Sequence, residues 1–384
     1  MRRTAGDPSR DLYVGLISGT SMDGIDAVVV DFGQARPNVL AAATQPFDSE
    51  LRDMLDELRL DPDSFPIASL GRADARLGDA LGRCALEIIG TAGVEPSSIT
   101  AIGSHGQTVL HRPDERWPYT LQIGDSHRIA GITGIPTVAD FRRTDIAAGG
   151  QGAPLAPLLH RALFARAGET RAVLNLGGIA NLTFLAADGT ISGFDSGPAN
   201  CLLDDWYRRH HAGRYDDSGR WAASGRANET WLEELLDEPF FARQPPKSTG
   251  IEHFSRNWLD QRLPDWARQR PGDIQATLAE LTARSVASAM EECHDSPPTR
   301  LLVCGGGVHN NHMLERLAHR LPSVAIGSTA DEGVDPDYVE AILFAWLARE
   351  RLAERPVETG PVTGARVPIL AGTIASCAPS NPLS

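Results

Sequence analysis

The same order of apolar and small polar residues opens both halves of this 384-residue chain. In the first half, β-rich apolar runs at 12–18 and 25–32 flank a turn of small residues, and a third run follows near 37–44. In the second half, "RAVLNLGGIANLTFL" at 171–185 repeats strand, turn and strand, and "ISGFDSGPAN" supplies a third strand. Helices and buried strands then alternate in both halves. The pattern predicts two similar α/β lobes that face a cleft.

The length of the chain exceeds one hydrophobic core of ordinary size, so we expect two domains. A glycine-rich connection at 149–152 marks the boundary and gives an N-terminal lobe over 1–147 and a C-terminal lobe over 148–384. Residues 213–272 are polar and rich in Pro and Trp, which predicts an insertion in the second lobe. The last helix, "DYVEAILFAWLARERLAE", is apolar enough to pack back on the first lobe or to form an interface.

The composition argues against several classes of protein. The formal net charge is −14 and no basic run occurs, so nucleic acid is not expected as a main partner. No apolar run approaches the roughly 20 residues of a membrane helix, and no apolar segment follows the first arginines as in a signal peptide. The five cysteines are scattered and fit neither a disulfide framework nor a zinc site. These features predict a cytoplasmic protein.

The basic residues are almost all arginine, and Lys247 is the only lysine of the chain. It follows a proline rather than the glycine that a Walker P-loop requires. If this chain handles phosphate, we expect it to use mainly backbone amides, arginine and a metal ion.

The first small-residue turn, "SGTSMDG", has the composition of an anion-binding loop. Its glycines permit close backbone approach, exposed amides in such a turn form an anion-binding nest, and Thr20 and Ser21 add hydroxyl donors. Asp23 and Asp26 could hold Mg²⁺ directly or through water. An ordinary hairpin loop with favourable turn residues explains the same stretch.

Three glycines, Gly305–Gly307, stand between the buried strand "LLVC" and a helix. They would let a flat ring lie against the backbone, with a helix N-terminus nearby for phosphate. A tight strand-to-helix turn is the alternative. The G-x-G-x-x-G spacing of a dinucleotide fold is missing, because Val308, His309 and Asn310 follow the third glycine.

An acid at the end of a predicted strand is the third candidate for chemistry. Asp195 follows the apolar run "ISGF", at the end of a strand where α/β folds place reactive groups. Its carboxylate could act as a general base. The alternative is a helix cap before "CLLDDW", a role open to Asp195, Ser196 or Asn200.

Several further residues carry polar groups at the ends of predicted elements. His105 ends a strand in "GSHGQT" and could line a substrate, although a lone histidine is more often structural. Arg142 and Arg143 follow the strand "TVADF" and could clamp a carboxylate or phosphate, or form a solvated surface pair. Glu340 stands in the first turn of the last helix, where a negative charge is favourable.

The order of these pieces resembles the superfamily of actin, heat-shock chaperones and sugar kinases, in which two ribonuclease-H-like lobes surround a central ATP cleft. In detail the chain resembles the anhydro-N-acetylmuramic acid kinase family. The matching stretches run in the family's order from about residue 12 to about residue 372 and include "GLISGTSMDGIDAVVVDF", "AIGSHGQTVLH", "VADFRRTDIAAGGQGAPL", "LNLGGIANLT", "GFDSGPANCLLDDW" and "CGGGVHN".

The resemblance implies an ATP- and Mg²⁺-dependent kinase that hydrolytically opens 1,6-anhydro-N-acetylmuramic acid and phosphorylates its O6. The product is N-acetylmuramic acid 6-phosphate, in the recycling of cell-wall peptidoglycan. It also implies a homodimer and a set of site residues. These are the base Asp195; ATP-binding positions Gly19, Thr20, Ser21, Met22, Asp23, Gly24, Ile25, Asp26, Gly177, Gly178, Asn181, Gly305, Gly306 and Gly307, with Asp23 and Asp26 at the metal; and sugar-binding positions His105, Arg143, Asn200 and Glu340.

Two other functions are compatible with the same residues. One is a different sugar or small-acid phosphotransferase of the superfamily, and the other is a non-catalytic nucleotide-binding regulator. Asp195 distinguishes the enzymes from the regulator, because a binding module does not need a base at that place.

Overall fold

The computed structural model describes residues 10–19, 24–34, 36–245, 247–263, 265–292 and 297–376. The chain divides into two units, of which Met1–Leu159 and Tyr338–Ser384 form the first and His160–Asp337 forms the second. The first unit therefore extends past residue 147 and includes the C-terminal residues from 338 onward, which the sequence-based boundary assigned to the second lobe.

The first unit contains a six-stranded sheet, a two-stranded sheet and helices around them. Its strands are β1 Leu12–Ile17, β2 Gly24–Asp31, β3 Asn38–Pro46, β4 Ile99–Ser104, β5 Gln107–Arg112, β6 Tyr119–Ile123, β7 Thr137–Ala139 and β13 Thr373–Ala375. Its helices are α1 Ser49–Leu60, α2 Ile67–Thr91, α3 Ser126–Thr133, α4 Arg143–Ala147, α12 Val339–Leu352 and α13 Gly360–Thr363, and the boundary between the units falls within α5 Ala156–Phe164.

The large sheet of the first unit has the strand order β13-β7-β4-β1-β2-β3. Strands β1, β2 and β3 form an antiparallel meander, and β4 and β7 join it parallel to β1. Strand β13 pairs antiparallel with β7 at the edge of the sheet. Buried side chains of α1 and α2 share one hydrophobic core with β1, β2 and β4.

Helix α12 belongs to the first unit because it rests on two glycines of the large sheet. Gly15 and Gly103 are paired across β1 and β4. A Cβ atom built on Gly15 would lie 1.9 Å from the carbonyl oxygen of Ala341, and one on Gly103 would lie 1.9 Å from that of Phe344. Only glycine allows this approach of helix to sheet, which carries the residues after 338 back to the N-terminal strands.

The second unit is built on a five-stranded sheet. Its elements are β8 Arg171–Leu176, β9 Ile179–Leu185, β10 Ile191–Pro198, α6 Asn200–His210, α7 Arg220–Ala223, α8 Glu229–Leu236, α9 Arg256–Arg262, α10 Pro271–Glu292, β11 Arg300–Cys304, α11 Asn311–Arg320 and β12 Ala325–Ser328. The region 213–272, predicted as an insertion, contributes the buried side chains of Phe240, Phe254 and Trp258 to the core of this unit.

Apart from the edge strand β13, the two large sheets have the same topology. The strand order of the second unit is β10-β9-β8-β11-β12, with an antiparallel meander β8-β9-β10 and with β11 and β12 parallel to β8. The meander followed by two parallel strands matches β1-β2-β3 followed by β4 and β7. This is the ribonuclease-H-like arrangement, and its occurrence in both units confirms the duplicated two-lobe fold predicted from the sequence.

Within the part of the chain that the structure describes, no helix is long and apolar enough to cross a membrane. Among the described residues, Cys84, Cys201 and Cys304 are not in disulfide bonds. The other two cysteines, Cys293 and Cys377, lie outside the described residues.

Candidate active site

Asp195 lies in strand β10 and is held by the loop at 247–249. Its backbone N–H donates to the carbonyl of Lys247 at 3.1 Å, and its Oδ2 accepts from the backbone N–H of Thr249 at 2.9 Å. Helix α6 begins at Asn200 without a hydrogen bond from a capping side chain. The alternative interpretation of Asp195 as a helix cap is therefore wrong, and its carboxylate accepts from the loop at Thr249 instead.

The surroundings of Asp195 favour the protonated carboxyl. The side chain is half-buried, and burial raises the pKa of Asp195 to about 6, while the hydrogen bond from the Thr249 N–H acts in the opposite direction. A carboxylate with this pKa is ionised at neutral pH and is a stronger base than an exposed aspartate. These are the properties expected of a general base.

A row of polar side chains crosses the second sheet at Asp195. Asp195 of β10 is paired with Asn181 of β9, which is paired in turn with Asn175 of β8. Directly paired residues on neighbouring strands project to the same face of a sheet. The structure therefore brings Asn181, an expected ATP-binding residue, beside the expected base. It also adds Asn175, which the sequence reading missed because strand register is not visible in a single sequence.

The three glycines at 305–307 differ in how much space surrounds their Cα atoms. Gly305 has a φ of 77°, and a Cβ there would overlap Oδ1 of Asn175. A Cβ at Gly307 would overlap Leu176, whereas one at Gly306 would meet no described atom within 4 Å. Gly306 and Gly307 begin a 3₁₀ turn, Gly306–His309, that precedes α11, so the glycines do not lead directly into that helix. Gly306 alone faces open space where a ligand could approach.

The turn between β8 and β9 is attached to the start of α6. The carbonyls of Gly177 and Gly178 accept from the backbone N–H groups of Asn200 and Ala199, each at 3.0 Å. The side-chain amide of Asn200 donates to the carbonyl of Leu176 at 2.9 Å. Asn200, expected to line the sugar site, thus also connects α6 to strand β8.

In the first unit, the expected phosphate turn lies partly outside the described residues, which do not include Thr20, Ser21, Met22 and Asp23. A Cβ at Gly19 would meet no described atom within 4 Å, whereas one at Gly24 would overlap the carbonyl oxygen of Gln45. Ile25 is 2% exposed and belongs to the hydrophobic core, so its side chain is not open to a ligand. Oδ1 of Asp26 accepts from the hydroxyl of Thr44 at 2.6 Å.

His105 is buried and uses both ring nitrogens. Its Nε2 accepts from Nε of Arg142 at 2.9 Å, which leaves the proton on Nδ1, 3.1 Å from the carbonyl of Gly106. The ring stacks on Phe344 of α12 with 4.5 Å between centroids. Burial, together with the charge of Arg142, holds the pKa of His105 well below its usual range. His105 is therefore a neutral imidazole that orients Arg142.

The two neighbouring arginines have different environments. Arg142 also donates to the carbonyl of Gly152 at 2.8 Å. Oδ2 of the fully buried Asp145 accepts from the N–H of Gly152 at 2.6 Å, and its Oδ1 accepts from Thr363 at 2.8 Å. The side chain of Arg143, by contrast, is 64% exposed and pairs with Asp140 at 2.8 Å. Arg142 is thus the arginine that contacts His105. The sequence analysis did not identify Asp145, which binds the N–H of Gly152 while Arg142 binds the carbonyl of the same residue.

Glu340 projects from the first turn of α12, where it is exposed. The pKa of Glu340 is raised, chiefly because surrounding protein atoms displace water from its carboxylate. The positive charge of Arg142 opposes this rise, and the negative charge of Asp26 adds to it. His105, Arg142, Asp26 and Glu340 therefore form one electrostatically coupled group in the first unit. Among the residues described, no group of three or more His, Cys, Asp and Glu side chains could hold a metal ion.

Comparison with known proteins gives one consistent relationship. A family model described as anhydro-N-acetylmuramic acid kinase matches residues 11–377. The chain is 52% identical over 367 residues to the anhydro-N-acetylmuramic acid kinase of Xanthomonas axonopodis pv. citri (strain 306), covering 94% of this chain and 97% of that protein. It is 50% identical over 367 residues to the protein of the same name from Xylella fastidiosa (strain Temecula1), covering 94% and 96%.

Similarity to solved structures is more distant. An activator of the 2-hydroxyisocaproyl-CoA dehydratase from Clostridium difficile with bound ADPNP aligns over 89% of this chain and 96% of its own, at 12% identity and a TM-score of 0.45. The family match and the close relatives both extend over nearly the whole sequence. The chain belongs to the anhydro-N-acetylmuramic acid kinase family.

Proposed function

We propose that this protein is an ATP-dependent kinase that opens 1,6-anhydro-N-acetylmuramic acid with water and phosphorylates O6 of the sugar. The observation that carries the proposal is the state of Asp195. Its carboxylate caps no helix, its pKa is raised to about 6 by burial, and one backbone N–H orients it. A carboxylate base could activate either a water molecule or an acceptor hydroxyl, so the oxygen label in the assay below distinguishes ring opening by water from simple phosphoryl transfer.

Asp195 takes the proton of a water molecule that attacks the anomeric carbon from the face opposite the bridging oxygen. The bond from water to C1 forms as the bond from C1 to O6 breaks, as in inverting glycosidases. The departing O6 forms a bond to the γ-phosphorus of ATP, and ADP leaves. The phosphoryl group thus replaces the carboxylic acid that would otherwise protonate the leaving oxygen. The water proton ends on Asp195.

We assign the triphosphate to the segment from Gly19 to Asp26, as the family resemblance implies, and to the glycines around Gly306. Hard oxygen donors suit Mg²⁺, which usually takes one or two carboxylates together with phosphate oxygens and water. Asp26 fits this role because its negative charge already acts on Glu340 and a cation would relieve that repulsion. Asp23 is assigned with it. When bound, the ion would neutralise negative charge on the phosphate oxygens.

The sugar is assigned to residues with exposed or directed polar groups. Arg143 is an exposed cation suited to the lactyl carboxylate that distinguishes muramic acid from glucosamine. Glu340 would accept from a sugar hydroxyl, and His105 would act through Arg142. Asn200 would line the same sugar.

We place the protein in the cytoplasm, where ATP is available, and assign it a homodimeric state on the family resemblance. Helix α12, one candidate for the dimer interface, is not available for that role. Its apolar residues are buried against the first-unit sheet.

The assay mixes the protein with Mg²⁺, ATP and 1,6-anhydro-N-acetylmuramic acid in ¹⁸O-water. We expect ADP release that depends on this sugar, with the heavy oxygen at C1 of the phosphorylated product. The matched control is 1,6-anhydro-N-acetylglucosamine, which lacks the lactyl group, and a chelator should stop the reaction until Mg²⁺ is restored. ADP release with other sugars only, or product without label at C1, would reject the proposal.

A further inference from the structure

The loop that holds Asp195 has no regular secondary structure of its own. Residues 247–250 belong to neither a helix nor a strand, yet they supply both backbone groups that contact Asp195, the carbonyl of Lys247 and the N–H of Thr249. Free loop backbone would not hold an N–H on a carboxylate with the precision that catalysis needs. Other contacts must therefore hold this loop in place.

Lys247 and Thr249 attach this loop to the core of the second unit. The ammonium group of Lys247 donates to the carbonyl of Phe241 at 2.9 Å and lies 5.1 Å from the ring centre of Phe240. The hydroxyl of Thr249 is 3.0 Å from Nδ1 of His253. Thr249 therefore carries both the hydroxyl that contacts His253 and the N–H that contacts Asp195.

His253 is held by Glu238, whose side chain is 12% exposed. Its Nε2 lies 3.5 Å from Oε1 of Glu238, while Oε2 of Glu238 accepts from the indole of Trp258 at 2.8 Å and from Arg262 at 2.7 Å. Burial acts to raise the pKa of Glu238, but the hydrogen bonds from Trp258 and Arg262 outweigh it and the pKa is lowered. The ionised carboxylate favours a proton on Nε2 of His253, so Nδ1 accepts from the hydroxyl of Thr249.

The imidazole ring is also packed. It stacks on Phe254 with 4.4 Å between centroids and 16° between planes, and Phe254 is 1% exposed in the core of the unit. A series of polar contacts therefore begins with the 3.5 Å approach of Glu238 to His253 and continues through the hydrogen bonds of His253 with Thr249 and of Thr249 with the carboxylate of Asp195. Each member is within the second unit.

We propose that His253 and Glu238 are positioning residues for Asp195, which hold Thr249 so that its N–H stays on the carboxylate. The inference rests on the proposed function, in which Asp195 is the base. Without the Thr249 N–H, the carboxylate loses a hydrogen bond that favours its ionised form. The base then becomes harder to ionise and less well oriented, whereas ATP binding does not change.

Two substitutions of His253 separate the contact to Thr249 from the contact to Glu238. In His253→Asn, the amide oxygen takes the place of Nδ1 and accepts from Thr249. In His253→Gln, the longer amide reaches Glu238 but not Thr249. Both remove the ring that stacks on Phe254, so they are matched for lost packing, and His319→Asn on the exposed end of α11 is the control.

We expect His253→Gln to move the acidic limb of the kcat–pH profile upward by about one pH unit and to lower kcat at pH 6 about fivefold. His253→Asn should stay within about threefold of wild type, since one neutral hydrogen bond is kept. KM for ATP should not change in either variant. Thr249→Val, which removes the hydroxyl but keeps the shape, should match His253→Gln, and thermal unfolding checks that each variant is folded.

Amide hydrogen exchange gives a readout independent of turnover. The N–H of Thr249 should exchange faster in His253→Gln and Thr249→Val, and at the wild-type rate in His253→Asn and His319→Asn. Equal losses in the Asn and Gln variants would assign the effect to ring packing and overturn the inference, as would an unchanged pH profile and exchange rate in Thr249→Val. If wild type shows no sugar-dependent ADP release, the proposed function fails, and the exchange rates still test the contact.

Discussion

Replacement of Gly103 by alanine tests the close contact between helix α12 and the sheet beneath it. The added Cβ would stand 1.9 Å from the carbonyl oxygen of Phe344, whereas carbon and oxygen in contact lie about 3.3 Å apart. Helix or strand must therefore move by more than one ångström. Overpacking of this kind costs about 1–3 kcal/mol, which exceeds the roughly 0.4–1 kcal/mol gained from the stiffer unfolded chain.

Thermal unfolding measures the effect, and we expect the melting temperature to fall by roughly 5 °C. Glu340 should move with α12, and a displacement of about 1 Å in an active site costs up to about a hundredfold in rate. The control is Gly71→Ala in helix α2, where an added Cβ meets no described atom within 4 Å. Because alanine favours helix, that variant should gain up to about 1 kcal/mol. A Gly103→Ala protein as stable and active as wild type would refute the contact.

Three further predictions concern charged groups. Glu280→Gln should destabilise the second unit by about 3–5 kcal/mol in thermal unfolding, since that 2% exposed carboxylate pairs with arginines at 284, 316 and 320. Because the pKa of Asp195 in the free protein is about 6, kcat/KM should fall tenfold per unit below that pH. The same upward shift means that the free energy of unfolding declines as the pH rises from about 4 to about 6 and is not regained above pH 6. Arg142→Lys should lower kcat about tenfold or more because it loses its bond to His105, whereas Arg143→Ala should mainly raise KM for the sugar, as steady-state kinetics will show.

The duplicated topology could be predicted from the sequence because its signal is local. Apolar runs separated by small-residue turns indicated the two meanders, and the strand predicted before His105 corresponds to β4, Ile99–Ser104. The position of α12 could not be predicted in the same way. It depends on Gly15 and Gly103 facing each other across two strands that are far apart in sequence.

The candidate site was only partly predictable for a similar physical reason. The sequence identified Asp195 but could not distinguish a base from a helix cap, because that difference depends on Thr249, 54 residues away. It could not tell which of two adjacent arginines contacts His105, since this depends on where α4 begins. Asn175 enters the polar row only through strand register. Residue type and spacing indicate candidates, whereas long-range contacts assign their roles.

The Asp195→Asn variant tests the central claim most directly. Asparagine keeps the shape of the side chain and an oxygen that accepts from Thr249, but it cannot take a proton from water. We predict that sugar-dependent ADP release falls by about 10²–10⁴-fold, while calorimetric titration gives ATP and sugar affinities close to those of wild type. Near-normal turnover by this variant would contradict the account.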